Sequence, residues 1–233
     1  MLAVKERTSK AHFKIKLSKS AYFNIVEQLP EATEVRFENA TWNDYEKLLD
    51  EVGEASGLRL SFNKGDLRVM TLSVLHENYS ALVQTLVMHL SFHNKIKVLC
   101  YKSATIKVSK VLKGAEPNGC FYVQSADTLP DKLRIDFNND PMPDIVLEID
   151  IHHDSKAKFD IYSAFGINEI WRYDGKVFEL YARQKNGEYK QSKKSKALPI
   201  LTAKILTALL NQSETKDQYE ILLGFDEWLK LQK

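Results

Sequence analysis

The chain has 233 residues, 44% of them hydrophobic and 27% charged, a composition that fits one generous globular domain and excludes a disordered or fibrous protein. With a net charge of only +2, affinity for a polyanion must come from local clusters of Lys and Arg. Two cysteines, Cys100 and Cys120, rule out a disulfide framework, and no apolar stretch approaches bilayer-spanning length, so a reduced cytoplasm is the expected home.

Along the chain, "HFKIKLS" alternates Phe13, Ile15 and Leu17 with polar residues and predicts a short strand. "TWNDYEKLLDEVGE" predicts a helix with Thr41 as N-cap and Asp44 three residues on. "LRLSF", "NKGD" and "LRVMTLS" predict a hairpin turning at Asn63 to Asp66. In "HENYSALVQTLVMHLSFH", Tyr79, Leu82, Val83, Leu86, Val87 and Leu90 fall at helical spacing. Short strand-like runs follow: "KIKVLCY", "TIKVS", "CFYVQSA" and "LRIDF". A strand over 144–151 then precedes a helix from about Asp154 to Phe165, stopped by Gly166. An antiparallel meander turns at Asp174-Gly175 and Asn186-Gly187, and two amphipathic helices close the chain.

The strand over 144–151 poses a chemical problem. Asp144, Val146, Glu148 and Asp150 share one face, while Ile145, Leu147, Ile149 and Ile151 form a purely apolar other face. An interior strand can carry such acids only if solvent, a basic side chain or a metal answers them. At a rise of roughly 3.3 Å per residue, Asp144 and Glu148 stand about 13 Å apart, too far to share one cation whose contacts lie at about 2.0–2.6 Å. Glu148 and Asp150 stand only about 7 Å apart by the same rise. Any metal chemistry therefore centres on Glu148, with a second ligand from another strand.

The ordered set "LRVM…HE", "EPNGCFYV", "DPMPDIVLEIDI", Lys158-Phe159-Asp160-Ile161-Tyr162 and "GINEIWRYDG" resembles the bacterial putative restriction endonuclease family of the PD-(D/E)XK nuclease superfamily. The likeness runs from about Trp42 to Tyr189. It implies an α/β, restriction-endonuclease-like fold: a mixed central sheet flanked by helices, in a single domain. It also implies an acid on one strand and a Glu on the next holding Mg²⁺, with Mn²⁺ as a substitute, and a Lys that activates the attacking water. By that resemblance Glu148 matches the metal-binding Glu, and Asp150 stands where the Lys usually sits. Lys158, four residues before Tyr162, matches a Lys moved to the following helix, and Glu77 matches a helical acid. Asn118 occupies the place of the expected metal-binding Asp, with Glu116 on the same face as a substitute. Asp144, in the second "PD" pair, stays among the candidate metal ligands, although spacing argues against its sharing an ion with Glu148.

Simpler readings compete. Lys158 read alone is one solvated lysine beside Lys156, and Glu77 alone is a first-turn acid complementing its helix dipole. His76, His152 and His153 show no zinc-site spacing, and Tyr162, Phe165 and Trp171 read as core. Arg183, Lys185, Lys190, Lys193, Lys194 and Lys196, with Lys14, Lys16 and Lys19, offer phosphate contacts or a lysine-protected sheet edge. The expected organisation is a basic extension over 1–35, a nuclease domain over 36–195, and C-terminal helices over 196–233 packed on it. The leading reading is a Mg²⁺-dependent endonuclease acting on DNA. Its alternative is a weakened nuclease fold that binds nucleic acid or serves assembly, suggested by Asn118. A third reading is a homodimer burying Leu206, Leu209, Leu210, Trp228 and Leu229 against a twin.

Overall fold

The structure, a computed structural model, describes residues 10–13, 19–53, 57–129 and 135–232. Its elements in chain order are β1 (Lys10–Phe13), α1 (Lys19–Val26), β2 (Glu34–Phe37), α2 (Trp42–Val52), β3 (Leu58–Asn63), β4 (Asp66–Thr71) and α3 (Val74–Asn94). They continue with β5 (Leu99–Tyr101), β6 (Ile106–Val108), β7 (Lys113–Ala115), β8 (Gly119–Tyr122), β9 (Ile145–Ile149), α4 (Phe159–Phe165) and β10 (Glu169–Tyr173). β11 (Phe178–Arg183), β12 (Tyr189–Ser192), α5 (Ala203–Asn211) and α6 (Gln218–Lys230) complete the chain. The strands form two six-stranded sheets, ordered β1-β2-β4-β3-β7-β6 and β12-β11-β10-β9-β8-β5.

Local chemistry sets many of these boundaries. Thr41 and Asp44 close a reciprocal capping box at the start of α2, satisfying two orphan N–H donors. The β3–β4 hairpin turns through Lys64 and Gly65, both at positive φ, the twist that suits a two-residue loop. Gly166 ends α4 in the left-handed conformation. α3 starts two residues before the expected point because Ser73 caps it, accepting from the His76 N–H.

In the first sheet, Val35, Phe37, Leu60, Phe62, Leu67 and Val69 point into an apolar core shared with α1 and α2. Strand alternation then turns Glu34, Arg59, Ser61, Arg68 and Met70 to the opposite face. In the second sheet, β9 runs parallel to β10 and antiparallel to β8. Ile145, Leu147 and Ile149 pack with Trp171 and Tyr173 against α3, α5 and α6. Val146 and Ile170 face Ile161, Tyr162 and Phe165 of α4. The expected split of the 144–151 segment into an apolar face and an acid-bearing face is therefore present.

Several expectations need correction. The "LRIDF" run gives no strand in its described part, Ile135–Phe137, because Asp136 instead accepts from Asn138 N–H and the Asn139 side chain and folds a turn. The helix expected from Asp154 opens as a turn of 3-10 helix over Ser155–Lys158 before α4 begins. Leu206, Leu209, Leu210 and Leu229 are buried in the chain's own core, with Trp228 stacked on Phe225, so they are not a surface for a twin. Ile15, Leu17, Lys14 and Lys16 lie outside the described residues.

Close packing inside the first layer is testable at Gly114 on β7. A Cβ there would meet the Tyr45 hydroxyl at 2.1 Å and the ring at 2.5 Å, and the buried Tyr45 hydroxyl has no hydrogen-bond partner among the described residues. Gly114→Ala should lower the unfolding free energy by about 1–3 kcal/mol in urea titrations, the usual cost of overpacking. An unchanged midpoint would show that the ring is free to move aside.

Candidate active site

β9 delivers its three acids to three different environments. Asp144, at the strand's entry, turns its carboxylate to the loop after β8, where Oδ2 accepts from Val123 N–H (2.8 Å), Ser125 N–H (3.0 Å) and Ser125 Oγ (2.8 Å). It braces that loop, at the opposite end of the strand from Glu148. Asp144 is thus committed to this loop rather than turned toward Glu148.

Glu148 is 1% exposed, on the face covered by α4. Lys158 Nζ donates to both of its carboxylate oxygens, at 3.1 and 2.9 Å, and the Tyr162 hydroxyl donates a short hydrogen bond to Oε1. The 3-10 turn and α4 place these two donors one helical turn apart, so both reach one carboxylate. Burial pushes the Glu148 carboxyl above the ordinary carboxylate range, against the opposing pull of Lys158. Burial and the neighbouring carboxylate likewise push the Tyr162 hydroxyl far up, which keeps it a donor.

Asp150 is answered by β10. Its Oδ2 accepts from Ser155 N–H (2.8 Å), Ser155 Oγ (2.9 Å) and Arg172 Nε (2.5 Å), so all three bonds converge on one oxygen. Arg172 pairs with Glu148 in the β9–β10 register and carries a second bond to Glu179 at 2.6 Å. Despite its burial, these carboxylates hold the guanidinium firmly charged.

Asn118 is the residue next in line after the Gly119–Leu147 pair, so its strand does lie beside Glu148. Its side-chain oxygen, however, accepts from Ile149 N–H at 2.8 Å, and its Nδ2 lies 3.2 Å from His76 Nε2. Its backbone carbonyl accepts from Ser80 Oγ and Gln84 Nε2. Asn118 therefore ties β8, β9 and α3 together. Glu116 is turned elsewhere, accepting from Leu60 N–H (2.7 Å) and Thr105 Oγ1 (2.5 Å). Glu77 is half exposed, with Arg59 at 3.8 Å and His76 at 3.7 Å. Its carboxyl sits below the ordinary range, chiefly through His76, with burial opposing and Arg59 adding to the effect.

Glu148, Asp150 and Lys158 line one cleft, and its facing wall is the polar side of the first sheet, including Arg59, Ser61 and Arg68. Sequence reasoning missed this wall. Tyr162 is core, as expected, and its hydroxyl also serves Glu148. Sequence reasoning also passed over Arg172, although a lone Arg inside the apolar strand "EIWRY" was a signal that a buried acid stood beside it. Of the basic tract, Lys185, Lys190, Lys193, Lys194 and Lys196 are exposed at the far edge of the second sheet.

A raised carboxyl pKa gives folding a definite pH signature. In the window between the ordinary carboxylate value and the raised one, the folded chain binds a proton that the unfolded chain has released, so stability falls as pH rises. Glu148→Gln removes that dependence. In urea titrations with chelator present, the variant's midpoint relative to wild type should climb as pH rises across the window. A relative midpoint that falls as pH rises would mean that Lys158 outweighs burial.

The model of a family described as Uma2, putative restriction endonuclease, matches residues 42–210 of this chain. No curated protein matches it. A crystal structure of a putative nuclease belonging to DUF820 from Anabaena variabilis ATCC 29413 superposes with a TM-score of 0.49 at 14% identity, covering 73% of this chain and 99% of that one. With well over half of its length matched, this chain belongs to the putative restriction endonuclease family.

Proposed function

We propose that this nuclease-family chain hydrolyses phosphodiester bonds of DNA at the cleft lined by Glu148, Asp150 and Lys158. The observation that supports the reading most is the buried Glu148 carboxylate, held by an ammonium and a phenol while lining an open cleft. Perturbed acids in clefts are where charge chemistry concentrates.

A divalent cation such as Mg²⁺, or Mn²⁺ in its place, fits a two-acid donor set. Magnesium commonly takes one or two carboxylates and completes its shell with water and substrate phosphate. Glu148 and Asp150 would hold it, since the three bonds to Asp150 all fall on Oδ2. When bound, such an ion supplies Lewis-acid polarisation of the phosphate and acidifies a water. The protein's own groups do the remaining work. Lys158 steadies the attacking water or the charge developing on the phosphate, and its long stem lets it act from the turn before α4. Tyr162 fixes the Glu148 carboxylate, and Arg172 holds the Asp150 carboxylate in place. Asn118 holds β9 in register at the site.

A second reading is a nucleic-acid-binding module that does not cut. It is favoured by Asn118, whose oxygen is spent on Ile149, and by the lack, among the described residues, of any trio of His, Cys, Asp or Glu placed to share an ion. Purified protein incubated with supercoiled plasmid in Mg²⁺, in Mn²⁺ and in chelator separates the two. The enzyme reading expects metal-dependent nicking that falls at least about a hundredfold in both Glu148→Gln and Lys158→Met, the scale of losing a preorganised charged group. Binding without cutting, or cutting that survives both substitutions, would contradict it.

A further inference from the structure

The first sheet's polar face carries three arginines, and two are committed. Arg36 Nε donates to Asp66 at 2.6 Å. Arg68 donates through Nε and Nη2 to Asp66 Oδ2, at 3.0 and 2.9 Å, with Glu34 at 3.6 Å from Nη1. Arg59 differs. Its Nη1 donates to the Leu58 carbonyl at 2.9 Å, and its nearest carboxylate, Glu77, stands 3.8 Å from Nη2. Its buried Nε has no partner among the described residues. The side chain is only 14% exposed, and it lines the same cleft as Glu148, Asp150 and Lys158.

A largely desolvated guanidinium with an unanswered N–H is costly unless an acceptor arrives. The cleft allows few acceptors. The Glu148 and Asp150 carboxylates already line it, and the neighbouring Ser61 is small, so a tetrahedral, singly charged phosphodiester group can enter opposite Lys158. Arg presents a rigid fork of donors that matches two phosphate oxygens, which a lysine does not.

We propose that Arg59 is the phosphate-binding residue of this site, reaching from the first sheet to hold the non-bridging oxygens of a DNA phosphodiester over Glu148 and Lys158. The assignment rests on the DNA reading above and deepens it. Glu77 is then the resting partner of Arg59, displaced when phosphate arrives, rather than a group at the reacting atoms. The cleft between the two sheets becomes the groove along which the strand lies, with one wall supplying the phosphate clamp and the other the acid and base chemistry.

The test is binding of a fluorescein-labelled DNA duplex and its single strand, read by anisotropy in chelator, across a salt series. Arg59→Met should weaken binding about tenfold or more and flatten the slope of log affinity against log salt by about one, as expected for one lost phosphate contact. Arg59→Lys should fall between the two. Glu77→Gln, at a half-exposed position and with its folding checked by urea titration, should tighten binding several-fold. Wild-type affinity and salt slope in Arg59→Met, weaker binding in Glu77→Gln, or no DNA binding by the wild type would each overturn the assignment. Parallel plasmid assays separate the two claims. Cutting that is indifferent to Arg59 leaves the nuclease reading and removes the clamp, whereas Arg59-dependent binding without cutting does the reverse.

Discussion

Carboxylates built into a buried strand must be answered, and β9 carries that constraint at its centre. Leaving a buried charge without its partner costs on the order of 3–5 kcal/mol, a large part of what a domain of this size has in hand. The three acids of this strand are answered by different means: a loop's N–H groups for Asp144, an ammonium and a phenol for Glu148, an arginine and a serine for Asp150. All three are buried, and Glu148 and Asp150 stand with Lys158 in the wall of one cleft.

The cleft exists because each sheet is one-sided in its chemistry there. The first sheet hides Val35, Leu60, Leu67 and Val69 beneath α1 and α2 and turns Glu34, Arg59, Ser61 and Arg68 to its other face. The second buries Leu147 and Ile149 against α3, α5 and α6 and keeps Glu148 on the other side, beside α4. Bonds from Asn63 (2.9 Å) and Lys113 (2.6 Å) to Asp160 of α4 tie the first sheet to the site's own helix. His153 adds a contact at 3.0 Å to the Ala32 carbonyl. The wall opposite the acids is thereby fixed by polar side chains together with an apolar seam in which Ile106 and Ala115 of the first sheet meet Val146, Ile170 and α4.

How much of this was readable in the sequence depends on the range of the interaction. Capping at Thr41 and Asp44, the Lys64-Gly65 turn and the Gly166 stop are local, and residues a few positions apart specify them. The two faces of β9 follow from a period of two, and the separation of Asp144 from Glu148 follows from the strand's rise. The contact of Lys158 with Glu148 was expected only through family resemblance, since nine intervening residues leave the approach undetermined. The partners of Arg172 and Arg59 and the division of the strands into two sheets were hidden because strand pairing across long sequence gaps decides them. "LRIDF" misled because its Asp prefers its own backbone to a ladder, and the terminal leucines because a helix's apolar stripe does not say which core it meets.

The account stands most directly on the state of one carboxyl group. A ¹³C NMR titration of the Glu148 side chain, in wild type and in Lys158→Met, reads that state without any need for activity. The structure predicts a midpoint above the ordinary carboxylate range in the wild type and a further rise when the ammonium is removed. A midpoint at the ordinary value, unmoved by the substitution, would mean that Glu148 is solvated and unpaired and that the site described here does not form.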